Sequence, residues 1–164
     1  MPSMQLWVVL SGHVSTSGSP VTGILNKISI TLINLEPEAT LRNLQPDRAG
    51  GLPRQNPAIS LNLSVLVAAN FEDYEESLKF VGSTLAFFQG HSVFNPQSSP
   101  AMPAGIDRLV VELETTNYQQ WGYLWGMLGS KYMPGVVYKL RLVTIQNGAI
   151  QGSSPAVGGL GVNH

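Results

Sequence analysis

The feature that most constrains the fold is a run of alternating residues at positions 58–68, AISLNLSVLVA. Apolar side chains occupy every second position, namely Ile59, Leu61, Leu63, Val65 and Val67. The residues between them are Ser60, Asn62, Ser64, Leu66 and Ala68. Because successive side chains of a strand point to opposite faces, this period of two predicts a β-strand. One strand cannot bury its apolar face alone, so we expect a sheet covered by further elements.

Four more segments, residues 5–11, 24–34, 106–115 and 135–145, are rich in Val and Ile and predict strands. Two helices are expected between them. Asn70 is predicted to cap the first, which ends at Gly90, and Asn117 to cap the second over residues 118–130. The order β-β-β-α-β-α-β predicts an α+β fold with a single mixed β-sheet of about five strands. The two helices are expected to pack on it, most simply on one face.

Apolar residues recur in the first predicted helix at spacings of three and four. They are Phe71, Tyr74, Leu78, Val81, Leu85 and Phe88. Phe80 and Phe87 widen this stripe, so we expect the helix to be covered on more than one side.

The chain of 164 residues fits a single domain, which we place at residues 1–147. Within it, residues 44–57 are dense in Pro, Gly and polar residues and predict an exposed loop. Residues 148–164 have no periodicity and are interpreted as a flexible C-terminal tail.

Only 12% of the residues are charged, about half of what soluble domains usually carry, and the formal net charge is −1. Neutral surfaces of this kind favour contact with partner proteins. A net charge this close to zero argues against nucleic acid as a partner. The sequence has no run long enough to span a membrane and no secretory signal, so direct membrane insertion is not expected. It contains no cysteine, which fits a cytoplasmic origin.

The histidines and carboxylates of the sequence form no catalytic or metal-binding pattern. His13, His91 and His164 are not paired at metal-ligand spacing, and we interpret them as histidines in solvated loops. Glu72, Glu75 and Glu76 occur where a helix begins and are expected to be solvated acids. The sequence therefore predicts no enzyme, no cofactor and no metal site.

Five aromatic residues follow one another closely in the second half of the chain: Tyr118, Trp121, Tyr123, Trp125 and Tyr132. Packing of a helix against the sheet is the favoured interpretation, and an aromatic interface patch is the second. A ligand-binding accessory domain that stacks sugars or nucleobases on these rings is a third hypothesis.

Several stretches together resemble the tail-terminator, or cap, proteins of contractile injection systems, which are phage-tail-like particles. The stretches are residues 28–43, 56–90, 93–95 and 109–145. The residues that carry the resemblance, with two loop arginines and one tryptophan added as candidate contacts, are Glu36, Glu38, Leu41, Arg42, Asn43, Arg48, Arg54, Phe87, Phe88, Trp121, Trp125, Tyr132, Pro134 and Tyr138. None of them forms a catalytic motif.

The resemblance implies a homo-oligomeric ring, hexameric in this family, that binds the distal end of the inner tube protein and the last layer of the sheath protein. Such a ring would end polymerisation and couple sheath to tube. It would be cytoplasmic during assembly and then part of an extracellular or cell-anchored particle. A baseplate or tube-adaptor subunit of the same particle is the alternative. Family members usually begin with an amphipathic helix, whereas this chain enters its first strand almost directly.

Overall fold

The computed structural model describes residues 7–38, 54–55, 59–106, 108–145 and 150–151. Its strands are β1 (Val8–Leu10), β2 (Lys27–Pro37), β3 (Arg54–Gln55), β4 (Ile59–Asn70), β5 (Val93–Phe94), β6 (Leu109–Glu114), β7 (Gly135–Ile145) and β8 (Ile150–Gln151). The helices are α1 (Tyr74–Gly90) and α2 (Tyr118–Leu128), and a short 3-10 turn covers Thr22–Ile24. Within the described ranges, neither helix is long and apolar enough to cross a membrane.

Six strands form one sheet in the order β1-β2-β4-β7-β6-β5, and β3 pairs with β8 in a separate two-stranded sheet. β1 runs parallel to β2, whereas the other neighbours in the large sheet are antiparallel. The predicted α+β fold with one mixed sheet and two helices is therefore confirmed. The additional strand is β5, whose two residues are too few to produce a periodic signal.

The alternation of β4 positions both helices. Val65 and Val67 join the core cluster against which Phe80 and Phe88 of α1 pack. Leu66 and Ala68, on the opposite face, join the cluster that contains Leu124 and Trp125 of α2. The expectation that both helices pack on one face is thus wrong. From position 65 onward both faces of β4 are apolar, and each needs its own cover.

α1 begins later than the sequence predicts. Asn70 is the last residue of β4, and Asp73 caps the helix by accepting a hydrogen bond from the backbone N–H of Glu75, at 2.8 Å. The apolar stripe is also rotated from the prediction, because the buried side is centred on Ser77. Tyr74 and Leu78 consequently lie at the exposed flank.

α2 starts where predicted. The side chain of Asn117 accepts from the backbone N–H of Gln120, and the side chain of Gln120 accepts from the backbone N–H of Asn117. Two backbone N–H groups that have no partner within the helix are thus hydrogen-bonded. The helix ends at Leu128, two residues before the predicted end. Gly129 follows with a φ of 64°, a left-handed conformation that glycine adopts without strain.

The small sheet joins two segments that are far apart in sequence. Arg54 pairs with Gln151 and Gln55 with Ile150, so part of the predicted loop lies beside part of the predicted tail. The division of the chain at residue 147 stays a prediction.

Candidate functional site

One half of the large sheet, beyond the end of α1, carries a groove that we call the apolar groove. The sheet forms its floor, and the C-terminal turns of α1 and the loop after β5 form its walls. Its volume is about 560 Å³, and its lining residues, none of them charged in the described part of the chain, are Ile30, Leu63, Val65, Val67, Phe87, Phe88, Phe94, Ser99, Ala101, Met102, Pro103, Ile106, Leu109, Val111, Tyr138 and Leu140. The groove is therefore suited to an apolar partner surface.

The same face continues on β2. Leu32 is paired with Val65 and Leu35 with Leu63, and residues paired in this way share a face of the sheet. Leu32 is 54% and Leu35 is 52% exposed. Two large aliphatic side chains thus extend the apolar surface beyond the groove toward the edge of β2.

The opposite face of this half is polar, and we call it the charged sheet face; its ionisable members are Glu36, Glu38, Glu112, Glu114, Lys139 and Arg141. Two ion pairs cross it, Lys139 with Glu36 and Arg141 with Glu112, each at 3.2 Å. Hydrogen bonds add to them: Asn62 donates to Glu38 at 2.7 Å, and the Ser64 hydroxyl donates to Glu114 at 3.0 Å. Exposed ion pairs contribute little stability, so their effect is mainly on the specificity of contacts.

A third surface is the outer face of α2, which we define as Tyr123 and Met127 with Gly122 and Gly126, the residues that precede them. Tyr123 is 68% and Met127 is 66% exposed. The helix has no charged residue over its whole length. A helix that is apolar or neutral on all sides is typical of one covered on two sides.

His13 lies in a buried cluster rather than in a solvated loop, so that expectation is wrong. Its ring is only 3% exposed and stacks on Trp125 with centroids 5.5 Å apart. His13 Nε2 is 2.8 Å from the hydroxyl of Ser29. Burial lowers the pKa of His13, because the charged imidazolium loses its hydration. His91, in contrast, is exposed as expected.

A cavity of about 690 Å³ lies beside this cluster, between the loop after β1, the start of α1 and the loop after α2. Its lining residues include His13, Glu72, Tyr74, Lys131 and Tyr132. Among the described residues, His13 Nδ1 and Trp125 Nε1 are buried without a hydrogen-bond partner. No group of three His, Cys, Asp or Glu residues suited to a metal occurs in the described ranges.

The structure separates the sequence-predicted site residues onto these surfaces. Phe87, Phe88 and Tyr138 line the apolar groove, and Glu36 and Glu38 lie on the charged sheet face. The residues near α2 are Trp121, Trp125, Tyr132 and Pro134. Arg54 lies in β3, while Leu41, Arg42, Asn43 and Arg48 lie outside the described residues.

The five aromatic residues in and near α2 divide into residues that pack against the sheet and residues that are exposed. Trp125 is 6% exposed and packs with Trp121 against the sheet, as the favoured interpretation expects. Tyr118, Tyr123 and Tyr132 are exposed. A ligand patch built on both tryptophans would need faces that the sheet already covers, so the structure does not favour the accessory-domain hypothesis.

Sequence reasoning missed much of the groove. Met102 and Pro103 belong to residues 91–105, which the sequence indicates only as a loop, because a residue run without periodicity does not reveal which way its side chains point. The charged sheet face, in contrast, has a signal in the sequence. Lys139 and Arg141 alternate with apolar residues along the last strand, and this signal is present in the sequence.

A family model described as the Pvc16 N-terminal domain matches residues 6–158. Comparison with curated protein sequences gives no match. Among solved structures, the fold is similar to the PVC sheath/tube terminator of an extracellular contractile injection system in its extended state. The TM-score is 0.59 at 13% identity, and the similarity covers 98% of this chain and 56% of that chain.

The fold is also similar to the tube-terminating cap of the anti-feeding prophage, with a TM-score of 0.57 and 12% identity over 96% of this chain and 55% of that chain. This chain thus spans a little more than half the length of either protein. The resemblance to tail terminators is confirmed at the level of family and fold, and the chain belongs to the Pvc16 N-terminal domain family.

Proposed function

We propose that this chain is a structural cap, or tail terminator, of a contractile injection system. It would end the inner tube and the sheath at their distal end and hold the two together. The observation that carries the proposal is the Pvc16 N-terminal domain match over residues 6–158, combined with a fold similar to two proteins described as terminators or caps. Fold alone does not imply function, so the family match gives the proposal its weight.

The described surfaces support such a role, because a cap works by contact rather than by chemistry. The apolar groove and the outer face of α2 are neutral surfaces of the kind that assemblies bury. The charged sheet face offers paired Glu36–Lys139 and Glu112–Arg141 side chains, which suit the polar rim of an interface with tube or sheath. The role is non-enzymatic in this proposal.

Copies of the chain would form a closed ring, hexameric as the family resemblance implies, because a ring matches the symmetry of a tube end. Arg42, Asn43, Arg48 and Arg54 are proposed to contact the sheath or a neighbouring copy. The protein would assemble in the cytoplasm and then remain in an extracellular or cell-anchored particle; the PVC terminator belongs to an extracellular system.

The proposal is tested by electron microscopy of particles from cells that lack this chain. We expect tubes of uncontrolled length, or sheaths detached from their tubes, and restoration of uniform particles by the wild-type chain. Particles of normal length with attached sheaths would contradict a terminator role. Short particles without a baseplate would instead favour the alternative, a baseplate or tube-adaptor subunit.

A further inference from the structure

Two surfaces of this chain complement each other in shape and chemistry. The outer face of α2 is convex and uncharged, and the apolar groove is concave and has no charged lining residue in the described part of the chain. They lie on opposite faces of the sheet, because α2 packs on the face of Leu66 whereas the groove opens on the face of Val65. The two surfaces therefore cannot meet within one copy.

We propose that the outer face of α2 in one copy docks into the apolar groove of the next copy. The proposal rests on the ring-forming role proposed above and names the surfaces that build the ring. Such a contact is head to tail: each copy gives a helix to one neighbour and a groove to the other. Contacts of this type generate rings when the rotation between copies closes.

The geometry of α2 suits this contact. Tyr123 and Met127 are four residues apart, so their side chains project from the same face of the helix and can enter the groove together. A Cβ added at Gly122 or Gly126 would meet nothing within 4 Å, so these glycines leave the helix backbone accessible to a partner. The groove offers Phe87, 48% exposed, as a wall against which these side chains can pack.

The other helix is a poor occupant of the groove. The exposed side of α1 carries Glu75, Glu76 and Lys79, which form ion pairs with one another at 3.0 and 3.1 Å. Placing these charges against an apolar lining would remove their hydration without compensation. The neutral face of α2 carries no such penalty.

The test uses two variants that each remove one side of the contact. Gly126→Gln fills the open space on α2 and raises its intrinsic helix propensity, so folding should be retained. Phe87→Lys places a charge in the groove, near the C-terminal end of α1 where a cation is tolerated. Gly82→Gln is the matched control, because Gly82 also faces open space but lies on α1.

The mass of each protein is measured by sedimentation velocity, with near-ultraviolet circular dichroism as a check of folding. We expect the wild-type chain and Gly82→Gln to assemble with rising concentration. Gly126→Gln and Phe87→Lys should each remain monomeric at concentrations at least tenfold higher. An equimolar mixture of these two should give heterodimers, because Phe87→Lys still offers its helix to the intact groove of Gly126→Gln.

A wild-type chain that stays monomeric, a folded single variant that still assembles, or a mixture that gives no heterodimer would each overturn the proposal. Assembly retained in Phe87→Lys would mean that copies meet elsewhere. These results do not depend on the particle phenotype. Normal particles in cells lacking the chain would remove the terminator role and leave the helix-in-groove contact standing.

Discussion

His13 belongs to a segment of Ser, Thr, Gly and Pro, yet its ring is covered by Trp125 and bonded to Ser29. Ser29 in turn donates to the carbonyl of Ala68 at 3.4 Å, so the loop after β1 is tied to the middle of the sheet. Nothing in the local sequence reveals this burial. The ring is buried because it packs against Trp125, which lies more than a hundred positions later in the chain.

The burial of His13 predicts a pH dependence of stability. Burial lowers the pKa of His13 in the folded protein below the ordinary value of about 6.5, so the unfolded chain binds more protons just below that pH. The free energy of unfolding should therefore fall as the pH is lowered from 7 through this window. Denaturant melts at several pH values should give a smaller slope for His13→Asn, which cannot titrate.

His91→Asn is the matched control, since it removes an exposed imidazole and leaves the ring of His13 in place. An equal slope in wild type and His13→Asn would contradict a buried neutral ring at position 13.

Gly135 makes a close approach that no larger residue permits. A Cβ at this position would lie 2.7 Å from the carbonyl oxygen of Val67 and 3.1 Å from Cα of Ala68. Gly135→Ala should lower the free energy of unfolding by about 1 to 3 kcal/mol, because the backbone of β4 has to move. Chemical denaturation measures the loss.

The comparison variant Gly122→Ala meets open space on α2 and should raise the free energy of unfolding by up to about 1 kcal/mol. Equal changes in the free energy of unfolding for the two substitutions would show that crowding at β4 does not destabilise Gly135→Ala.

At the scale of elements, the start of α1 shows how pairing in the sheet overrides a local signal. Asn70 and Asp73 are both good capping residues, and the sequence alone favours Asn70. In the structure Asn70 pairs with Lys27 as the end of β4, so the strand continues past the predicted cap. Asp73 then caps the helix. At α2 no strand competes, and the predicted cap at Asn117 is present, with Gln120 completing a capping box.

This assignment of the cap predicts unequal effects of two alanine substitutions. Asp73→Ala should cost about 1 kcal/mol of unfolding free energy, because the N–H of Glu75 loses its acceptor. Asn70→Ala should cost clearly less, since its side chain does not cap α1. Thermal or urea unfolding of both variants measures the difference, and the reverse order would contradict the cap at Asp73.

On the scale of the whole molecule, the sheet is divided into two halves. One half is covered by α1 on one face and α2 on the other, whereas the other half presents the apolar groove and the charged sheet face. Among the described strands, β8 pairs only with β3 and lies outside the six-stranded sheet.

We expect residues 148–164 to contact the sheath or a neighbouring copy, so deleting them should weaken capping. The fold should stay intact, because the deletion removes no strand of the large sheet. We expect an unchanged midpoint of thermal unfolding and a broader distribution of tube lengths in micrographs. Deletion of residues 159–164 alone, beyond the end of the family match, is the control and should preserve tube length. An unchanged distribution of tube lengths after the longer deletion would contradict a role of residues 148–164 in capping.

By itself, the sequence determined the elements and the class of the fold. The alternation that predicts β4 and the cap at Asn117 depend on neighbours within a few residues, and both are present in the structure. Only the tertiary structure decided which face of the sheet each helix covers, why His13 is buried and where the apolar groove lies. These features depend on contacts between distant residues, such as His13 with Ser29 or Glu36 with Lys139, and short-range periodicity has no information about them.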